Sequence, residues 1–346
     1  NCHRKRRVLI CCGLHDFHAQ MRKLQPIQLM ITGQGVRFME GFKGVSNEKT
    51  RRILILISIL ALPGILLIFV ACGGGDGGNG GGESNWTFTE DNVSLGISGV
   101  SPEAILLNDG SVRLYVTDIG MPVYRASDGL TFSAETASMP SGGSDPTLIQ
   151  LDDGTYRMYY VDQGLQMIWT ATSSDGLNWI KESSTGIGNT TDRAAWGVPD
   201  SIKLPDGRIR LYWVDMPSGD SSNNFEVIKS AISSDGLTFT EEVGYRTEDG
   251  YVDPYTLLTE EGNWIGLFST TPDPSRLPQR IYVGTSTDGL TWSIESKSII
   301  TVPGGNALDP TAVSLGDGSY RVYYSATSGL VPPSDHFIIS GILKSK

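Results

Sequence analysis

The sequence predicts an all-β fold, a five-bladed β-propeller in which an N-terminal strand completes the last blade and closes the ring. Three observations predict it. One pattern recurs five times from residue 101 onward, a second hairpin motif follows it in four of the five units, and the fifth unit lacks a last strand that the segment ahead of the first unit can supply.

The recurring pattern is a proline, a strand of alternating apolar residues, a turn ending in glycine eight positions after the proline, and a second strand rich in aromatics. The prolines are Pro102, Pro146, Pro199, Pro254 and Pro310, and the glycines are Gly110, Gly154, Gly207, Gly262 and Gly318. Three residues past the glycine stand Arg113, Arg157, Arg210 and Arg321, and five past it Tyr115, Tyr159, Tyr212 and Tyr323. In the fourth unit Ile265 and Leu267 replace them. A period of two puts both positions on one strand face, where arginine pairs with a neighbouring acid or stacks on tyrosine.

The second motif is Asp128-Gly129-Leu130-Thr131-Phe132, repeated around Asp175, Asp235 and Asp288. These aspartates are expected to cap their own hairpins, with Phe132, Trp179, Phe239 and Trp292 packed between blades. Each unit then reads as strands A to D of one blade. The fifth ends after its strand C (337–343), and Asn85-Trp86-Thr87-Phe88-Thr89-Glu90 resembles a strand D, so the propeller spans 85–346. A six-bladed sialidase fold is the competing architecture, because its Asp-box turn resembles residues 173–179.

Upstream lie three segments. Residues 1–38 show no hydrophobic period and are read as an upstream or unstructured stretch. Residues 39–72 resemble a bacterial lipoprotein signal: a basic start (Lys43, Lys49, Arg51, Arg52), an apolar run from Ile53 to Val70, then Ala71-Cys72. Cys72 is then the lipidated residue; an uncleaved transmembrane helix is the alternative, and either puts the propeller outside the cytoplasm. Residues 73–84 are a glycine-rich tether, a coil of about 15 to 20 Å r.m.s. span. Gly73 resembles outer-membrane sorting, so the expected location is the bacterial cell envelope, the chain facing periplasm or cell surface.

Composition narrows the chemistry. Of 27 Lys+Arg, 11 fall in residues 1–72, leaving 16 against 35 of the 38 Asp+Glu in the remainder, an acidic balance that repels nucleic-acid phosphates. All four cysteines precede residue 73, and His336 is the one histidine after it. The propeller thus holds no cysteine nucleophile and no multi-histidine zinc set.

Strands A of a propeller run innermost, so the residues around each proline should surround one mouth of the axial channel. Asp145, Asp253 and Asp309 precede three of the prolines, while Glu103 and Asp200 follow two others. Strand B should return to this mouth with Asp118, Asp162 and Asp215, and Trp196 and Tyr251 are placed as sugar-stacking platforms. Crowded carboxyls raise one another's pKa, which lets one stay protonated while another serves as base.

Five blades, Asp-Pro starts to strand A and Ser-Ser-Asp-Gly-Leu-x-Trp turns together resemble the arabinanase, levansucrase and invertase superfamily over residues 85–346. The resemblance implies a glycan substrate, a base Asp in blade one, a pKa-tuning Asp in blade two and an acid Glu in blade three. Asp145 matches the second. Ser101 and Val198 stand where the first and third belong, so either the displaced acids Glu103 and Asp200 have taken over, or Asp253 and Asp309 work with Asp145, or catalysis is lost; the candidate catalytic set is Asp145, Asp253 and Asp309, with Glu103, Asp162, Trp196, Asp200, Asp215 and Tyr251 as candidate substrate-binding residues. Two functions follow: a hydrolase, with paired carboxyls about 5 to 9.5 Å apart across an open pocket, or a non-catalytic propeller with a filled channel that binds glycan, a protein partner, or calcium held by Asp145, Asp253 and Asp309. No cofactor is needed for hydrolysis.

Overall fold

The computed structural model describes residues 84–346 apart from 189–193, 217–225, 249 and 332–333, with backbone alone at 194–196, 31–32 and 35–36. The chain divides into two units, Asn1–Asn79 and Gly80–Lys346. In the first, the described backbone is two short strands, β1 (Ile31–Thr32) and β2 (Gly35–Val36), paired antiparallel. The expected signal segment, Cys72 and residues 73–83 of the tether lie outside the described residues.

The second unit holds five four-stranded antiparallel sheets and, among the described residues, no helix. Blade one is β4 (Val100–Leu106), β5 (Val112–Thr117), β6 (Val123–Ala126) and β7 (Ser133–Glu135). Blade two runs β8 (Gly143–Gln150), β9 (Tyr156–Asp162), β10 (Met167–Ser173), β11 (Ile180–Gly188). Blade three runs β12 (Ala194–Lys203), β13 (Ile209–Met216), β14 (Val227–Ser233), β15 (Thr240–Glu241). Blade four is β16 (Tyr251–Leu258), β17 (Trp264–Thr270), β18 (Ile281–Ser286) and β19 (Ser293–Ile294). Five sheets exclude the six-bladed alternative.

Blade five is assembled from both ends of the unit: β20 (Ala307–Ser314), β21 (Ser319–Thr327) and β22 (His336–Ser345), then β3 (Trp86–Glu90) as the outer strand. Glu90 faces Gly341 and Trp86 faces Ser345 in the antiparallel register. Trp86 and Phe88 pack on a core of Leu267, Val322, Tyr324 and Leu343, so the closing strand is held by apolar burial as well as by its ladder.

The repeated arginine and tyrosine are the inter-blade fasteners. Tyr115, Tyr159, Tyr212 and Tyr323 donate their hydroxyls to the carbonyls of Gly176, Gly236, Gly289 and Gly129 in the next blade's Asp-Gly turn, at 2.7, 3.0, 2.8 and 2.7 Å. Arg113, Arg157 and Arg210 donate to the carbonyls of Asp175, Asp235 and Asp288, each at 2.8 Å. Blade four's neighbour is blade five, whose outer strand comes from the far end of the chain, so no Asp-Gly turn awaits an arginine and a tyrosine there. Ile265 and Leu267 instead join the apolar core beneath the closing strand. The break in the repeat and the closure of the ring are one feature.

The Asp-Gly turns match expectation. Asp128 Oδ1 accepts from the amides of Leu130 and Thr131 at 2.8 and 2.7 Å, and Asp175, Asp235 and Asp288 repeat the cap. These bonds hold the Asp128 and Asp235 carboxyls at about 2, well below their ordinary value. The glycines need their positive φ, and a Cβ at Gly236 would come within 2.5 Å of Arg157 Nη1.

Candidate functional site

Each inner strand carries one extra residue at its proline. Between Ser144 and Thr147 the register advances three residues on β8 against two on β9, and the same bulge recurs on β4, β12, β16 and β20. The residue before proline then takes a left-handed conformation: Ser101, Asp145, Val198, Asp253 and Asp309 have φ of 45, 49, 42, 48 and 49°. That costs an L residue roughly 1–2 kcal/mol, most readily borne by Asp and least by a β-branched residue such as Val198. Proline fits the bulge because it has no amide to contribute to the ladder.

Five bulges around one axis produce two tiers of side chains. The upper tier is Ser101, Asp145, Val198, Asp253 and Asp309; the lower tier, one residue past each proline, is Glu103, Thr147, Asp200, Tyr255 and Thr311. Most of these, with the prolines between, line an axial cavity of about 20 Å³, room for about one water molecule. Among the described residues the open pocket expected of a hydrolase is not seen at this depth, since the cavity is too small for a sugar ring.

The lower tier is a closed girdle. Glu103 accepts from Leu148 N at 2.9 Å and Thr147 Oγ1 at 3.3 Å in blade two, and from Thr311 Oγ1 at 3.0 Å in blade five. Thr147 and Ser201 hydroxyls meet at 3.0 Å, Asp200 accepts from Thr256 N and Oγ1 at 2.9 and 2.6 Å, and Tyr255 donates to Ala312 O at 2.5 Å. Glu103 and Asp200, expected as substrate-binding residues, are buried in this girdle. Burial raises the Glu103 carboxyl to about 7 and pushes Asp200 well up, with Glu103 adding to the latter.

The upper tier is acidic. Asp253 and Asp309 are about 7% exposed and Asp145 is half-buried. Asp309 Oδ2 accepts from Ser101 N at 3.0 Å and from Ser325 Oγ at 3.1 Å. Asp145 N donates to Thr117 Oγ1 at 2.7 Å, and the hydroxyls of Thr117 and Ser144 reach its carboxylate at 3.4 Å. Burial, then the charge of Asp309, raises Asp145 to about 6. Burial raises Asp253 and Asp309 too. Among the described residues no arginine, lysine or histidine lines the cavity. Elsewhere the acids have cations: Arg113 with Glu135, Arg210 with Glu242, Arg321 with Asp91.

The residues that support the upper tier form a repeat of their own in the sequence. Seven residues past each turn glycine stand Thr117, Val161, Val214, Ser269 and Ser325. The hydroxyl of one blade receives the pre-proline amide of the next: Thr117 that of Asp145, Ser269 that of Asp309 at 3.1 Å, Ser325 that of Ser101 at 3.0 Å. Val161 stands in this position before the blade that carries Val198.

Other expected site residues lie off the axis. Asp162 caps the turn after β9 through Gly164 N and Leu165 N, each at 3.0 Å, and pairs with Lys181 at 2.6 Å. Asp215 is fully buried with Lys229 at 3.7 Å, Asp118 caps its own turn, and Tyr251 packs edge-on against Tyr282 with centroids 5.6 Å apart. Trp196 lies on β12, its side chain outside the described residues. Among the described residues no three acid, histidine or cysteine side chains are set to hold a metal ion. The arrangement of the described residues gives the calcium alternative no support.

No family model and no curated protein matches the chain. Solved structures do: a thermostable family-43 glycoside hydrolase aligns with a TM-score of 0.56 at 17% identity, over 74% of this chain and 95% of that one. The fold is that of a family-43 glycoside hydrolase. An endo-arabinase from Bacteroides thetaiotaomicron aligns at 0.55 and 13% identity, over 73% and 96%. An N-acetylgalactosamine deacetylase from F. plautii, solved with a blood group B trisaccharide, aligns at 0.55 and 14%, over 76% and 96%. At these identities the likeness establishes the fold, and function has to be argued from the site.

Proposed function

We propose that this chain is an exported hydrolase of extracellular glycans, anchored to the bacterial envelope through Cys72, whose reaction runs at the propeller mouth through Asp145, Asp253 and Asp309. The observation that carries this is the convergence of three carboxyls from three blades on a cavity of about 20 Å³ that no cationic side chain lines among the described residues. Uncompensated buried acids destabilise a fold and are characteristic of functional sites. Glycoside hydrolysis needs one carboxyl that holds a proton and one that takes a proton from water, and crowding provides both. The similar structures include a glycoside hydrolase and an endo-arabinase, which supports carbohydrate as the substrate class. Export and anchoring rest on the pattern of residues 39–72.

A second reading, a glycan-binding propeller without turnover, is favoured by Ser101 and Val198, which stand where the resembling superfamily has its base and its acid. Release of reducing sugar from a panel of aryl glycosides and plant and microbial glycans distinguishes the two. Turnover abolished by Asp145→Asn and by Asp253→Asn establishes the hydrolase. Binding on a glycan array without turnover establishes the second reading.

A further inference from the structure

Between β3 and β4 the chain continues along the outer edge of β22, and it leaves that edge once. Asp91 N donates to Ser340 O at 2.9 Å, and Ile338 N donates to Ile97 O at 3.0 Å. Residues 338–340 of β22 thus face residues 91–97, and 92–96 arch away without a backbone hydrogen bond to the strand. Leu95 and Ile97, 7% and 4% exposed, pin the arch into the core between blades five and one, while Asn92, Val93, Ser94 and Gly96 stand exposed.

Beneath the arch the edge of β22 is incomplete. A strand residue turns its N–H and C=O to the same side, so Ser340 N and Ile338 O face the arch. Neither has a hydrogen-bond partner among the described residues, although Ser340 and Ile338 are themselves buried. Buried main-chain groups are almost always paired, so these two call for a partner that the chain does not supply. The groove here has a volume of about 510 Å³, within the range of small-ligand sites. Val93, Phe337 and Ile339 give it an apolar side, Glu90, Ser94 and Ser98 give it polar groups, and among the described residues no cationic side chain lines it.

A peptide strand does not suit this edge, because between the two closing bonds β22 rises only about 7 Å and offers one donor and one acceptor. A neutral sugar ring does. Its hydroxyls both donate and accept, its C–H face can lie on Phe337, Ile339 or Val93, and a groove with Glu90 and no cation disfavours phosphate and carboxylate. We propose that this groove binds one neutral sugar unit of a glycan chain, with Ser340 N and Ile338 O meeting its hydroxyls. The identity of the ligand rests on the glycan reading; the open edge does not. His336 pairs with Thr327, so the groove lies at the mouth end of blade five. Two to three inter-strand spacings, about 10 to 14 Å, separate it from the inner strand β20, and a glycan seated at the mouth reaches it by running outward over that blade.

The test is retention on a glycan array, with hydrogen exchange, of the whole chain in detergent; the probes are neutral arabinan, xylan and galactan fragments and uronate-bearing glycans. Neutral fragments should be retained. Ser94→Trp, which fills the groove from an exposed position, should lower their affinity tenfold or more. Ser98→Ala should lower it about two- to tenfold, through the loss of one hydrogen bond. Val243→Trp, at an exposed position on the loop after β15, should leave retention unchanged. Exchange of the Ser340 amide should slow when a retained fragment is present. No neutral fragment retained, retention of uronate-bearing glycans alone, or retention that both groove variants leave intact overturns the proposal. Retention through the groove without release of reducing sugar would instead defeat the hydrolase reading and leave the groove standing.

Discussion

Glu103→Gln should make the propeller more stable at pH 8 and slightly less stable at pH 5. Glu103 is 8% exposed, accepts three hydrogen bonds from two neighbouring blades and, among the described residues, faces no cation. Desolvation carries its carboxyl from an ordinary 4.5 to about 7. The folded chain therefore binds a proton that the unfolded chain has lost between those two values. For a group raised on folding, the stability contribution is whole below 4.5 and is lost as pH rises through 7, a difference of about 3 kcal/mol. Glutamine imitates the protonated acid: its carbonyl can accept from Leu148 and Thr147, and its amide can donate to Thr311 Oγ1, which has acceptor capacity beside the Ala104 amide at 3.1 Å. Allowing about 1 kcal/mol for imperfect exchange, the variant should gain roughly 2 kcal/mol at pH 8, or about 4–8 °C in Tm. Thermal unfolding followed by circular dichroism at pH 5, 6.5 and 8 is the assay. A Tm difference that is the same at pH 5 and pH 8, or a loss at pH 8, would refute the idea that an ionised Glu103 burdens the girdle.

Asp145, raised to about 6, acts in the same direction, so the parent chain should itself lose Tm between pH 5 and 8; a rising Tm would contradict this. Gly236→Ala should cost about 2–3 kcal/mol in urea unfolding, from a φ of 71° and a Cβ 2.5 Å from Arg157 Nη1, whereas Gly110→Ala, with nothing within 4 Å, should cost only the backbone strain of about 1–2 kcal/mol. Equal losses would show that the fasteners contribute little. Val198→Asn should stabilise by roughly 1 kcal/mol, because asparagine tolerates the left-handed backbone that valine resists; an unchanged urea midpoint would argue that the bulge carries no strain. Removing residues 1–91 takes away β3 and leaves β22 as an exposed edge, so size-exclusion chromatography should show self-association; a monomer of unchanged Tm would mean that the closing strand is dispensable.

Much of this architecture is local and could be read from the chain. Alternating strands, glycine turns with positive φ and aspartates capping their own hairpins depend on neighbours a few residues away, so blade number, strand order and the role of Asp128, Asp175, Asp235 and Asp288 followed from the repeat. Closure by residues 86–90 was legible as well, because a missing strand and a spare one leave one pairing that removes the edges.

Only the tertiary structure sorted the acids around the axis. A single extra residue at each proline sends Asp145, Asp253 and Asp309 to the upper tier and Glu103 and Asp200 to the lower one, a division that spacing along one strand does not reveal because register decides which way every side chain points. The same holds for partners. Glu103 finds its donors 44 to 208 residues away, and Ser325 supports Ser101 across 224 residues. Ile265 and Leu267 looked like lapses in a motif until the neighbouring blade was seen to lack the turn they would have fastened. A repeat specifies its own hairpins through contacts inside the unit. What stands opposite a buried carboxyl is fixed by how the ring closes, because hydrogen bonds and desolvation act through space and not along the chain.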